Sequence, residues 1–161
     1  HPYDLVKKYG TDATRYLLLR HVHPTDDTDV TWERLDEWYN AGLVNGLGNL
    51  VSRIMKLSED YLSKVEVVPH KSHGTIADFL SKLEIQKATD HIWQEIAELD
   101  GLIQTQKPWE TKDTEVINEL VSKLYHIAKS LEIFIPETSK KITSAIEQNK
   151  KPENLFPRLN A

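Results

Sequence analysis

The sequence predicts an all-α fold, an antiparallel helix bundle behind a short helical opening segment. Apolar residues recur at steps of three and four through several separate stretches, which is the period of a helix with one buried face. No run of alternating apolar and polar residues is long enough to suggest a strand. Glycines and prolines fall between the periodic stretches as punctuation. With 161 residues the chain fits one domain with an appendage, able to bury roughly 70% of the surface its unfolded form exposes.

Asp4 to Tyr9 reads as a short helix stopped by Gly10, since glycine adopts the left-handed backbone of helix ends without steric cost. Thr11 is the expected cap of a second helix carrying Tyr16, Leu17, Leu18 and Leu19 to about His21. His23 to Val30 (HPTDDTDV) is a loop, because its proline and short polar side chains compete with helix for backbone hydrogen bonds. That loop divides an opening segment, residues 1–30, from a bundle, residues 31–161.

Thr31 caps a long helix to about Leu62, with Leu35, Tyr39, Leu43, Leu47, Leu50, Ile54, Leu57 and Tyr61 inward; such a helix spans roughly 45 Å. Gly42, Gly46 and Gly48 lie in its middle, each costing about 1 kcal/mol relative to alanine, so the close approach of another backbone is expected there. Val65 to Gly74 is a linker with a short extended piece, and Ile76, Phe79, Leu80 and Leu83 form a short amphipathic helix. Ile85 to Gln106 is a second long helix with Ala88, Ile92, Trp93, Ile96, Leu99 and Ile103 inward, halted by Pro108. Val116 to Phe134 is a third, and Pro136 separates it from a last helix over Thr138 to Gln148. In the tail, Leu155 and Phe156 are expected to dock on the bundle.

Charge and composition narrow the chemistry. Lys and Arg total 20 against 25 Asp and Glu, so the net charge is 20 − 25 = −5, the wrong sign for binding nucleic acid mainly through phosphate neutralisation. Any such contact must be local. There is no cysteine, hence no disulfide and no thiolate metal site, which suits a reducing cytosol. No signal peptide and no apolar run near the ~20 residues of a membrane span occur, so a cytoplasmic chain without membrane contact is expected. The first residue is His1 rather than Met, as in a piece of a longer protein. His21 with His23 and His70 with His73 lack a third ligand at a useful spacing, so no metal site is expected. Acidic runs such as Asp26-Asp27 and Glu59-Asp60 read as solvated surface. No nucleophile motif, glycine-rich phosphate cradle or dinucleotide fingerprint is present, so this segment is not expected to perform catalysis.

Two features carry recognition chemistry instead. At 100° per residue Asn45, Asn49, Arg53, Lys56 and Asp60 fall along one strip beside the apolar stripe of the first long helix. An amide offers a donor and an acceptor together and a guanidinium a rigid fork of donors, which suits the paired groups on the edges of unstacked bases. Pro108 fixes the backbone just before Trp109, giving an indole with little freedom left to lose and a face for one base. On spacing alone, a solvated polar strip and a tryptophan plugging a helix junction are the commoner origins of such patterns. Trp32, Trp38 and Trp93 sit in or beside apolar stripes and are assigned to packing.

PYDLVKKYGTDATRYLLLR (Pro2 to Arg20) resembles the stretch after the KMSKS loop of class I aminoacyl-tRNA synthetases. NAGLVNGLGNLVSRI (Asn40 to Ile54) resembles the anticodon-domain helix of the methionyl-tRNA synthetases. IQTQKPWE (Ile103 to Glu110), IFIPETSKKI (Ile133 to Ile142) and LFPRL (Leu155 to Leu159) are similar to that family's later landmarks in the same order. The resemblance implies a helix bundle of the class Ia synthetase anticodon-binding type, behind a stem-contact segment at residues 1–30. It implies that the bundle recognises the CAU anticodon for a parent enzyme that charges tRNA(Met) with methionine. By position Asn49 and Arg53 match anticodon-contacting residues and Trp109 the stacking tryptophan, with Asn45, Lys56 and Pro108 in possible support. The implied partners are the tRNA(Met) anticodon stem-loop and the catalytic domain of the same chain. No cofactor is implied for this segment; ATP with Mg belongs to the parent enzyme, and the HIGH and KMSKS signatures are absent here. Where many relatives have Asn and Tyr ahead of the PW motif, Asp100 and Leu102 stand in this chain. The rival readings are the bundle of a valyl-, leucyl- or isoleucyl-tRNA synthetase, and a non-enzymatic helical module that binds a protein.

Overall fold

The structure, a computed structural model, describes residues 1–22, 29–69 and 74–159. The expected loop's residues 23–28 and the linker's residues 70–73 lie outside the described residues, and with them the His23, Asp26-Asp27, His70 and His73 expectations. All secondary-structure elements among the described residues are helices, with no strand among them.

Helix α1 (Pro2–Tyr9) ends at Gly10, whose φ of 85° and ψ of 169° combine a positive φ that glycine alone adopts freely with an extended, not left-handed helical, ψ. Gly10 is itself the cap position of α2 (Thr11–His21), so Thr11 is the first helical residue and not the expected cap. Beside it, buried Asp12 reaches across the molecule and accepts from the Thr138 backbone N–H at 2.6 Å and its hydroxyl at 2.7 Å. Helix α9 (Pro136–Gln148) has no side-chain cap of its own; the Asp12 carboxylate satisfies one of the free backbone donors at its positive end, the Thr138 N–H. Arg15 donates to the Phe134 and Ile133 carbonyls just before α9. Tyr9, Ala13, Tyr16 and Leu17 therefore belong to the same core as the bundle.

The long helix is one continuous rod of three parts: α3 (Trp32–Tyr39), a π-helical stretch Asn40–Gly48, and α4 (Asn49–Tyr61). Thr31 caps it, its hydroxyl accepting from the Arg34 N–H at 3.1 Å. The spacing Leu35, Tyr39, Leu43, Leu47 is the reason for the wide turns. Three steps of four residues drift a regular α-helix stripe by about 120°, whereas all four side chains here are buried. The expected second backbone is not what the glycines admit. A Cβ on Gly42 would stand 1.9 Å from the Tyr16 hydroxyl, and a Cβ on Gly48 would stand 2.9 Å from the Leu43 carbonyl five residues earlier. One glycine admits a tyrosine side chain, and another admits the underwound helix's own carbonyl.

Helix α5 (Thr75–Ser81) is followed by a reversal in which Leu83 has φ 59°. Leu83 is 84% exposed, so it leaves the amphipathic face expected for it, because the tight turn into α6 aims it outward. Helix α6 (Ile85–Gln106) buries every inward residue expected of it. Helix α8 (Thr114–Leu131) is capped by Asp113, whose carboxylate accepts from the Glu115 and Val116 N–H groups. It stops three residues before the expected Phe134, and α9 starts at Pro136 rather than Thr138, since proline suits the first turn of a helix. Helix α8 packs on α4, α6 and α9. The extended piece after α4 lies along α8: Asn118 pairs with both backbone groups of Glu66, and Ser122 with both of Val68. In the tail Phe156 is buried, with its ring edge-on to Tyr39. Trp93 is buried and Trp38 stacks on His21 at 4.6 Å. Trp32 is 49% exposed, contrary to its packing assignment; its ring borders Tyr9 and carries the Lys8 ammonium at 5.1 Å.

Candidate nucleic-acid interface

Helix α6 closes at Lys107 in a left-handed conformation, φ 47° and ψ 55°. Pro108 then opens α7 (Pro108–Thr111), a single turn closed by another left-handed residue, Lys112. Pro108 is buried and Trp109 beside it is 42% exposed. The buried proline anchors the turn while the indole stays accessible.

A hollow of about 420 Å³ opens against this indole, lined by Asn49, Ser52, Arg53, Lys56 and Leu57 from the long helix, Ile103, Trp109 and Lys151. That volume lies in the range of small-ligand sites. Asn49 is exposed, and its amide has no partner among the described residues. Arg53 is held: its Nη1 donates to the Asp100 carboxylate at 2.7 Å, and Gln104 Oε1, in the amide orientation its neighbours favour, accepts from Nη2 at 2.7 Å. With side chains 30% and 47% exposed the Arg53–Asp100 pair contributes under about 1 kcal/mol to stability. Its effect is orientation, and of five N–H donors on the fork several remain for a ligand. Leu102 is half-buried against the core.

The expected strip of five is only partly realised. Asn49, Arg53 and Lys56 share the hollow, and Lys56 also pairs with Asp60 at 3.2 Å. Asn45 does not join them. Regular α geometry begins only at Asn49, and the wide turns before it rotate Asn45 into a neighbouring hollow with Arg20, Trp38 and Trp93, where it accepts from Arg158. Pro108 supports from beneath without lining the hollow. Among the described residues no three His, Asp or Glu side chains stand close enough to hold a metal ion, and no helix is long and apolar enough to cross a membrane.

Residues 1–55 match the family described as tRNA synthetases class I (M). The methionine–tRNA ligase of Fusobacterium nucleatum is 30% identical over 96% of this chain and 28% of its own length. The Enterococcus faecalis methionine–tRNA ligase is 33% identical over 83% of this chain and 22% of its own. The chain belongs to the methionyl-tRNA synthetase family. It spans only those 28% and 22% shares of the curated relatives. The free-state crystal structure of Mycobacterium tuberculosis methionyl-tRNA synthetase has the same fold, with a TM-score of 0.75 at 22% identity over all of this chain and 41% of that one.

Ser52 and Lys151, which line the hollow, and Asp100 and Gln104, which hold Arg53, escaped sequence reasoning. Ser52 stands three residues after Asn49, a helical neighbour that the strip argument could have included. Asp100 could have been suspected as a partner for Arg53, but only contact across two helices pairs them. Lys151 comes from the far end of the chain. Its placement follows from Asn149, which ends α9 in a left-handed conformation, accepts from the Ser58 hydroxyl at 2.5 Å and donates to the Leu62 carbonyl at 2.7 Å. That side chain pins the start of the tail to α4.

Proposed function

We propose that this chain is the anticodon-reading bundle of a methionine–tRNA ligase, working as part of a cytoplasmic enzyme that charges tRNA(Met) with methionine using ATP and Mg. The catalytic chemistry belongs to a catalytic domain of the same protein, and residues 1–30 form the stem-contact segment between that domain and the bundle. The anticodon bases CAU unstack, one lies on the Trp109 indole, and Asn49 and Arg53 test the edges of the bases. Stacking contributes about 1–3 kcal/mol per base, and a wrong base leaves a donor or acceptor unpaired at roughly 1–3 kcal/mol. Lys56 borders the same hollow; Asn45 has no part in it.

The observation that supports this reading is the convergence of an accessible indole, an exposed amide and a guanidinium already fixed by Asp100 and Gln104 around one hollow of about 420 Å³. A fork held in place loses less freedom on binding than a mobile one. Kinship to the family supplies the ligand class. The test is binding of RNA stem-loops with CAU and altered anticodons, followed by fluorescence anisotropy. Trp109→Ala should abolish the preference for CAU while circular dichroism stays unchanged, since the indole is not part of the core. Equal affinity of the unsubstituted chain for CAU and altered loops refutes the proposal, and a preference for a swapped anticodon moves the assignment to another class Ia synthetase.

A further inference from the structure

About half of the cations in this acidic chain are engaged. Lys8, Arg20, Arg53, Lys56, Lys64, Lys87, Lys123 and Lys129 stand in ion pairs, and Arg15 is bonded to carbonyls. Lys140, Lys141, Lys150 and Lys151 have no ion-pair partner among the described residues, and all four line one open hollow of about 620 Å³ between α9 and the tail. Glu137 and Glu153 share its lining, so the local excess is two positive charges in a chain of net charge −5. Lys151 also lines the Trp109 hollow. The two cavities therefore share one residue, Lys151.

We infer that the lysine-lined hollow is a backbone track: it takes the phosphates of the RNA strand that continues from the base held at Trp109, and it does so without reading sequence. The inference rests on the anticodon-binding reading. Lysine presents a compact point charge on a flexible stem, suited to phosphate oxygens more than to base edges. The track is also fixed to the site it serves. The Asn149 bridge to Ser58 and Leu62 ties Lys150 and Lys151 to the helix that carries Asn49 and Arg53, so the charges hold their register with the stacking face.

The experiment measures the affinity of the full chain for CAU and altered-anticodon stem-loops from 0.05 to 1 M salt. It compares wild type, Lys140→Gln/Lys141→Gln, Lys140→Gln/Lys150→Gln and a charge-matched control, Lys64→Gln/Lys123→Gln, on ion-paired surface elsewhere. Each double substitution in the track should lower the slope of log affinity against log salt by about 1.5, at 0.7–0.9 per phosphate contact. Its weakening should vanish near 1 M salt, and the ratio of CAU to altered-loop affinity should be unchanged. Slopes equal to wild type, an equal loss in the control, or a lost CAU preference each overturn the track. If wild-type chain shows no CAU preference, the anticodon reading itself has failed, whatever the lysine variants do.

Discussion

Glycine to alanine inside a helix normally stabilises a protein, by about 1 kcal/mol, and Gly42 should do the reverse. Its alanine Cβ would lie 1.9 Å from the Tyr16 hydroxyl oxygen and 2.7 Å from the ring carbon that bears it. Tyr16 cannot swing aside cheaply: it is 2% exposed, its ring packs on Trp93 at 4.6 Å, and its hydroxyl accepts from Arg20 at 3.0 Å and contacts His21 at 3.1 Å. Forcing a methyl into such packing costs about 1–3 kcal/mol, and displacing the hydroxyl gives up hydrogen bonds worth about 1 kcal/mol each. After subtracting the helix-propensity gain, Gly42→Ala should destabilise by about 2 kcal/mol, a fall in Tm of roughly 4–8 °C at this chain length. Gly101 in α6 is the internal control, since a Cβ there meets nothing within 4 Å, and Gly101→Ala should raise stability by up to about 1 kcal/mol. Urea titration followed at 222 nm measures both, and Tyr16→Phe should return part of the Gly42→Ala loss by removing the nearest atom. Gly42→Ala as stable as Gly101→Ala would show that Tyr16 does not fill the space the glycine leaves.

Two stability predictions follow from side chains that join distant segments. Asp12→Ala should cost about 2–3 kcal/mol, since it removes a charged acceptor from two buried donors on α9, and Asp12→Asn should cost less by keeping an acceptor; a loss under 0.5 kcal/mol for alanine, on the same urea scale, contradicts the cross-chain cap. Burial pushes the Asp36 carboxyl up, but donation from the Tyr9 hydroxyl and the Lys8 ammonium outweighs it and holds the group below its ordinary range. A depressed native value means that this stability is present above the usual carboxylate range near ~3.9 and is lost as pH falls through the lowered value. The unfolding free energies of wild type and Asp36→Asn should therefore converge between pH 5 and 2, and parallel profiles would refute the linkage.

Much of the architecture was legible along the chain because helical burial is a local, periodic property. The residues expected inward on α6 are all buried, and Thr31 caps the long helix where a hydroxyl before an apolar run should. Local rules failed where a neighbour set the outcome. Thr11 lost its capping role to Gly10, Leu83 turned outward in a reversal, and the glycines of the long helix answered to Tyr16 and to widened turns. The four-residue spacing from Leu35 to Leu47 did carry the signal for those turns, but reading it needs the knowledge that all four side chains reach one core.

The candidate site divides the same way. That an amide, a guanidinium and a proline-anchored indole existed, and which family they resembled, was determined by residue order alone, because helix spacing and the Pro-Trp pair are properties of neighbours in sequence. Only tertiary structure decided that Asn45 leaves the group, that Asp100 and Gln104 hold Arg53, and that Lys151 arrives from the tail. Those outcomes depend on contacts between residues about 47 to 113 positions apart, and no periodicity within one helix encodes the phase of another helix packed against it.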